Sequence, residues 1–332
     1  MIGQGHGPKS KIVGTGSSVP ERLVTNAELE ARLGTTDAWI REHTGLSGRR
    51  VAADGETTSD LAAVAARRAI EAAGLTVADL DLIILATSTG DSPLPATAAH
   101  LQHKLGADLI PSFDLGASSA GTLYALTVAD RFIAAGTFKT VLVVGADLAS
   151  RVIDPECRTM NAIYGDGAGA IVLTVADGAS GILSSTLHAD GTLAELMGIP
   201  GGGSAEPLTA LGLANKRHRL TMDGARMREL TERKLTSFST RALKAARMTS
   251  AELDWVVPQQ GNARIAEAIS RRLGFPPERV LLEQGSQANT MAASLPIVLD
   301  NAVRAGTIRA GHTVLMCALG AGVTWGALIV RM

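Results

Sequence analysis

The chain has few cysteines, no excess of charge of either sign and no long apolar run. Only Cys157 and Cys317 occur among its 332 residues. Two are too few for a disulfide framework or a structural zinc site, so both are expected to be ordinary small residues and no metal is expected. The formal net charge is −1, which gives no support for nucleic acid as a main partner. Apolar runs are short and broken by charge or glycine, so no segment is expected to span a bilayer. Residues 1–7, Met-Ile-Gly-Gln-Gly-His-Gly, carry no apolar signal core, and the expectation is a cytoplasmic protein.

What the chain does hold is a large apolar fraction, 46% hydrophobic, enough for two domains or one large layered α/β unit. Its centre of organisation is 113–122, Phe-Asp-Leu-Gly-Ala-Ser-Ser-Ala-Gly-Thr. This reads as a short strand, a tight turn of small residues and a helix running to about Gly136. Small residues let another backbone or a ligand approach closely. A helix that starts there aims unpaired N–H groups and a positive dipole end at whatever Ser118 and Ser119 hold. That suits a nucleophile whose product carries an oxyanion. It equally suits a serine that only caps the helix.

Around that stretch the pattern predicts helices over 26–33, 36–43, 58–73 and 96–105, with Thr36 capping the second ahead of Trp39. Strands are expected at 11–14, 79–88, 140–144, 165–175 and 181–188. The second half repeats this order. Leu80-Asp81-Leu82-Ile83-Ile84 answers to Leu253-Asp254-Trp255-Val256-Val257, and Thr140-Val141-Leu142 to Thr313-Val314-Leu315, both 173 positions on. Gly169-Ala170-Ile171-Val172 answers to Gly326-Ala327-Leu328-Ile329 at the shorter offset of 157. The spacing predicts two duplicated βαβ-rich halves about a pseudo-twofold axis, each adding a parallel sheet, with boundaries 1–178 and 179–332. The helices after Ser119 and after Asn289 fall at corresponding places and should point at one site.

At this point the residues resemble a known family. Ile12-Val13-Gly14-Thr15-Gly16-Ser17, Trp39-Ile40 with Thr44-Gly45, Pro95, Tyr164-Gly165-Asp166-Gly167-Ala168-Gly169-Ala170, Leu187-His188-Ala189-Asp190-Gly191, Val257-Pro258, Asn289-Thr290 and Thr324-Trp325-Gly326 are similar to the β-ketoacyl-acyl-carrier-protein synthase III family of the thiolase superfamily. The resemblance spans nearly the whole length. It implies a thiolase-like α/β fold, a layered α-β-α-β-α sandwich, and a homodimer. It also implies a three-residue chemistry. A cysteine at the start of the central helix takes an acyl group from coenzyme A; a histidine and an asparagine stabilise the enolate formed when a malonyl thioester loses carbon dioxide. By residue matching the cysteine position is Ser119, the histidine position Gln259, and the asparagine is kept as Asn289.

These changes alter the expected chemistry. A cysteine at a helix N-terminus becomes a thiolate; a serine hydroxyl needs an adjacent general base, and Gln259 cannot be one. Gln259 and Asn289 can still donate to an oxyanion. Decarboxylative condensation is therefore expected to be weak or absent, while acyl transfer through an O-acyl serine remains open if a base reaches Ser119. His188 is the candidate base, with Asp190 orienting it, set against a purely structural histidine. His43 and the other histidines are assigned no chemistry. The oxyanion hole is expected from the amides of Ser119 and Ala321.

The resemblance also carries over a coenzyme A channel: Trp39 against the adenine, Arg158 near the nucleotide, Gly224, and Asn262 with Arg264 along the pantetheine arm. Acyl-CoA enters as substrate, and no permanently bound cofactor is expected. His43, Ala225 and Glu229 stand where relatives carry arginine, asparagine and lysine; fewer positive groups there bear on coenzyme A and carrier-protein docking. Leu94 replaces a bulky aromatic that lines the partner subunit's acyl pocket. The readings are then an acyltransferase of secondary metabolism (polyketide or antibiotic biosynthesis) using acyl-CoA or acyl-carrier protein, a catalytically silent acyl-thioester-binding partner subunit, an acyl-CoA hydrolase, or an engineered active-site variant of an ordinary synthase.

Overall fold

The computed structural model describes residues 9–332 except 262, 263, 283 and 284, and leaves the side chain of Thr236 undescribed. Two sheets form its frame. The first runs in the order Ser10–Ser18, Asp166–Val175, Thr140–Leu148, Leu82–Ala86, Ser112–Leu115. The second runs Gly181–Ala189, Thr324–Arg331, Thr313–Gly320, Trp255–Pro258. Position by position the second order repeats the first; the Ser112–Leu115 strand alone has no counterpart among the described strands. Leu82–Ala86 lies parallel to Thr140–Leu148, as Trp255–Pro258 does to Thr313–Gly320.

The sequence predicts a parallel sheet in each half; both sheets are instead mixed. Thr313–Gly320 and Thr324–Arg331 pair antiparallel, because the connection over 321–323 is a tight turn. A parallel pair needs a crossover of a dozen residues or more. Thr140–Leu148 and Asp166–Val175 pair the same way in the first half.

Burial sorts the helices into layers. One core cluster joins Leu126 and Ile133 of helix Gly121–Ala134 to Leu295 and Leu299 of helix Ser294–Arg304, with Val143 from one sheet and Met316 from the other. These two helices are therefore the filling between the sheets. A second cluster packs Leu61, Ala65 and Ala69 of helix Thr58–Ala72 and Leu101 of helix Thr97–Leu105 on the outer face of the first sheet. A third packs Met227, Leu235 and Phe238 of helix Gly224–Ala246 and Ile269 of helix Ile265–Leu273 on the outer face of the second. The result is an α-β-α-β-α sandwich. Thr36 caps helix Asp37–Thr44 by accepting from the Trp39 N–H at 3.1 Å, where the sequence placed it.

The duplication reaches individual dihedrals. Ser118 and Met291, 173 positions apart, have φ of 48° and 52°. Each opens a single 3-10 turn, Ser118–Ala120 and Met291–Ala293, that runs into one of the two central helices. Left-handed backbone at a non-glycine residue costs about 1–2 kcal/mol, and here it turns both helix starts toward each other. Thr122 Oγ1 donates to Ala292 O at 2.6 Å across the meeting point.

Candidate active site

Ser119 is 3% exposed and sits on the first of these turns. Its backbone is gripped from below by the second sheet: a Cβ on Gly320 would lie 2.7 Å from Ser119 N and 2.8 Å from Ala117 O. Thr324 Oγ1 donates to Ala117 O at 2.8 Å. Asn289, 2% exposed, precedes the second turn. Its backbone is stitched to the loop after helix Arg158–Ile163 through Asn289 N–Ile163 O and Gly165 N–Asn289 O, both 3.0 Å. Gln259 continues the Trp255–Pro258 strand by one residue, its N–H donating to Cys317 O at 2.8 Å. Ser119, Gln259 and Asn289 line one cavity of about 420 Å³.

The two carboxamides have fixed polarity. Gln259 Oε1 accepts from the Leu319 N–H at 2.9 Å. Asn289 Oδ1 accepts from the Met291 N–H at 2.9 Å and from the Ser294 hydroxyl at 3.3 Å. A backbone N–H can only donate, so each oxygen faces a backbone donor and each NH₂ remains available to donate. Gly261, with φ of +85°, packs closely on Asn289: a Cβ there would lie 2.9 Å from Asn289 Cβ and 3.0 Å from Ile163 Cγ2.

The cavity opens past exposed Arg228 and Arg264 and half-buried Trp39 and His43. Among the described residues that line it none is a carboxylate, while Arg228 and Arg264 stand at the mouth, which favours an anionic ligand. His43 stacks on Trp39 at 4.4 Å, its Nδ1 2.8 Å from Trp39 O, and the Arg158 guanidinium lies 4.7 Å from the indole centroid. Buried Arg49 braces this corner, donating to Asn26 Oδ1 at 2.9 Å and Ala162 O at 3.2 Å. Burial lowers its pKa to about 10, so it stays charged at neutral pH.

Of the residues read from sequence, Trp39, Ser119, Gly224, Gln259, Arg264 and Asn289 meet at this cavity. Arg158 joins through Trp39. Asn262 lies outside the described residues, and Leu94 is 86% exposed on the surface of the chain. Ala321 does not line the cavity; Leu319 does, and Gly320 abuts Ser119.

The structure does not place His188 among the residues that line the cavity with Ser119. Its ring lies 5.7 Å from Phe238 and 6.0 Å from Trp325, in a cluster where Lys234 Nζ is 4.2 Å from the Trp325 ring. Phe238 is seven residues beyond the lining residue Thr231, about 10 Å further along one helix. Burial, then the charges of Arg241 and Lys234, hold the imidazole below its ordinary pKa. Asp190 does not orient it; that carboxylate accepts from Thr192 N at 3.1 Å and Thr192 Oγ1 at 2.6 Å. Conversely His43, assigned no chemistry from sequence, lines the cavity, and so do Met227, Arg228 and Thr231. With Gly224 these fall at i, i+3, i+4 and i+7 on one helical face, a spacing that the sequence displays once Gly224 is suspected.

Asp147 holds the two turns in place without reaching the cavity. It is fully buried and accepts from Ser88 N (2.7 Å), Thr89 Oγ1 (2.9 Å), Thr87 Oγ1 (3.2 Å) and Ala292 N (3.0 Å). Burial pushes its carboxyl up to about 6 from 3.8. Between these values the folded chain keeps a proton that the unfolded chain has released, so this group's contribution to stability falls as pH rises toward about 6. In Asp147→Asn the amide nitrogen must face a backbone N–H. A loss of about 1–3 kcal/mol is expected in urea unfolding, together with loss of this pH slope.

Comparison with known proteins now supplies the family. The model of the 3-oxoacyl-[acyl-carrier-protein] synthase III family matches residues 113–191, and that of the synthase III C-terminal region matches 243–332. The β-ketoacyl-[acyl-carrier-protein] synthase III of Paramagnetospirillum magneticum is 43% identical over 98% of this chain and 99% of its own. The chain belongs to the 3-oxoacyl-[acyl-carrier-protein] synthase III family. Among solved members, the synthase III of Aquifex aeolicus superposes with a TM-score of 0.89 at 37% identity, over 97% of this chain and 100% of that one. The priming β-ketosynthase of the R1128 polyketide biosynthetic pathway gives 0.89 at 31% identity, over 99% and 98%. The thiolase-like sandwich is thus the synthase III fold, and no helix among the described residues is long and apolar enough to cross a membrane.

Proposed function

We propose that the chain is a synthase III-type acyltransferase. It takes an acyl group from acyl-CoA or an acyl-carrier protein onto Ser119 and passes it to a carrier protein or a small-molecule acceptor, without efficient decarboxylative condensation. The supporting observation is that Ser119, Gln259 and Asn289 line one cavity, with both carboxamide oxygens held by backbone N–H groups. The carboxamide NH₂ groups hold the thioester oxygen as negative charge develops there. Ser119 Oγ bonds to the acyl carbon, the carbon–sulfur bond breaks, and the hydroxyl proton goes to the departing sulfur, since none of the described cavity residues is a carboxylate base. Trp39, Arg158, Gly224 and Arg264 hold the donor's arm. The setting is polyketide or other secondary metabolism, in the cytoplasm, by analogy with the priming ketosynthase it resembles. Exposed Leu94 serves a second copy's acyl pocket in a homodimer.

A second reading, a silent thioester-binding partner subunit, draws on the same lack of a carboxylate base among the described cavity residues. Incubation with acetyl-CoA and intact-mass measurement separates the two. An acetyl adduct on the Ser119 peptide is expected, and Ser119→Cys should raise its rate on the order of tenfold or more. Release of free acetate instead makes the chain a hydrolase. Neither adduct nor turnover leaves the silent partner.

A further inference from the structure

The indole expected to receive a planar base at the cavity mouth is already covered. We infer that His43 closes Trp39 to the nucleotide of coenzyme A, so that the cavity selects a thioester by its pantetheine arm and terminal phosphate and discriminates against the adenine. This rests on the proposal that a thioester arm occupies the cavity, but not on acylation of Ser119.

Trp39 and His43 both line the cavity and lie four residues apart on helix Asp37–Thr44. Their rings stack with centroids 4.4 Å apart and planes 24° from parallel. The imidazole is pinned there. A carbonyl oxygen only accepts, so His43 Nδ1–H donates to Trp39 O at 2.8 Å. A second planar group, the Arg158 guanidinium, stands 4.7 Å from the indole centroid. A base held between two flat groups needs about 7 Å between them, two contact steps of about 3.5 Å. Neither gap admits one. Arg158 is exposed and can swing away, but the indole still faces an imidazole bonded to the carbonyl of Trp39 itself. What the mouth does offer is charge. Arg228 and Arg264 line the cavity, and none of its described lining residues is a carboxylate, so the phosphate that ends a pantetheine arm meets cations there. Coenzyme A, free phosphopantetheine and a carrier protein all present this arm; only coenzyme A adds a base that the mouth cannot stack.

Calorimetric binding of coenzyme A and of 4′-phosphopantetheine tests this, in about 0.3 M salt to screen the nucleotide's extra phosphates. The two dissociation constants should agree within about threefold. His43→Ala should tighten coenzyme A about tenfold, the size of a base–aromatic stack, and leave 4′-phosphopantetheine unchanged. Adding Trp39→Ala should remove the gain. Coenzyme A bound about tenfold more tightly than the bare arm by the unaltered chain overturns the inference. So does unchanged or weaker coenzyme A binding in His43→Ala, which would make the imidazole no barrier or the base's own platform. Equal binding without a Ser119 adduct from acetyl-CoA keeps the inference and removes acyl transfer; preference for coenzyme A with an adduct does the reverse. If neither ligand binds, both fall. An acetylated carrier protein that marks Ser119 faster than acetyl-phosphopantetheine makes the protein the source of the arm, and the opposite order makes it the free arm; each keeps the nucleotide outside.

Discussion

Gly145→Ala is expected to lose about 3 kcal/mol of stability or more, the upper end for overpacking in a filled core. The added methyl would overlap Ala292 O and Thr122 Oγ1, and would lie 2.8 Å from the Ala292 carbonyl carbon. Two of these are backbone atoms of the second helix start, so rotamer change gives no relief. The Ala292 N–H is fixed from the other side by Asp147. Urea unfolding followed by circular dichroism measures the loss. Thr122→Ala in the same background should recover little, because the backbone overlap remains. Full stability in Gly145→Ala would mean that the two helix starts are not locked together.

Asn289→Asp is expected to lower the rate of thioester turnover about 10²–10³-fold. The change keeps shape and retains an oxygen for the Met291 N–H and the Ser294 hydroxyl. Its other oxygen replaces the Nδ2 donor and turns negative charge toward the place where charge develops. Unfolding should change far less than turnover, which separates a defect of chemistry from one of folding. Stopped-flow loss of the thioester absorbance reads the first and thermal melting the second. An undiminished rate would remove Asn289 from the oxyanion site.

Much of this was legible in the sequence because it rests on local signals. Thr36 announces its helix by the spacing to Trp39, and the apolar run 82–86 announces a strand buried on both faces. The 173-residue offset pairs the two halves and sets the helix starts beside Ser119 and Asn289 at corresponding places. Gln259 follows the end of the second half's central strand, Trp255–Pro258, and is placed by the same logic.

What stayed hidden depends on register across distant strands. His188 opposes Trp325, and its ring joins Phe238 and Lys234 rather than the cavity. Nothing within Leu-His-Ala-Asp-Gly reveals how far along helix Gly224–Ala246 that strand end falls. Nor does a sequence say which end of Gln259 faces inward; that needs the Leu319 N–H, 60 positions away. Arg228 was missed for a plainer reason: one charge on a long basic and acidic helix looks like solvent-facing surface until a wall is found beside it.

The mirrored turn at Met291 bears on how such a chain can diverge. Ala292 occupies in the second half the seat that Ser119 occupies in the first, and its main chain is clasped by Thr122 and Asp147. The second of the twin turns serves as a structural pin. Because the pin is held by groups of the opposite half, the reactive seat is free to trade one atom for another over generations without the molecule losing its shape.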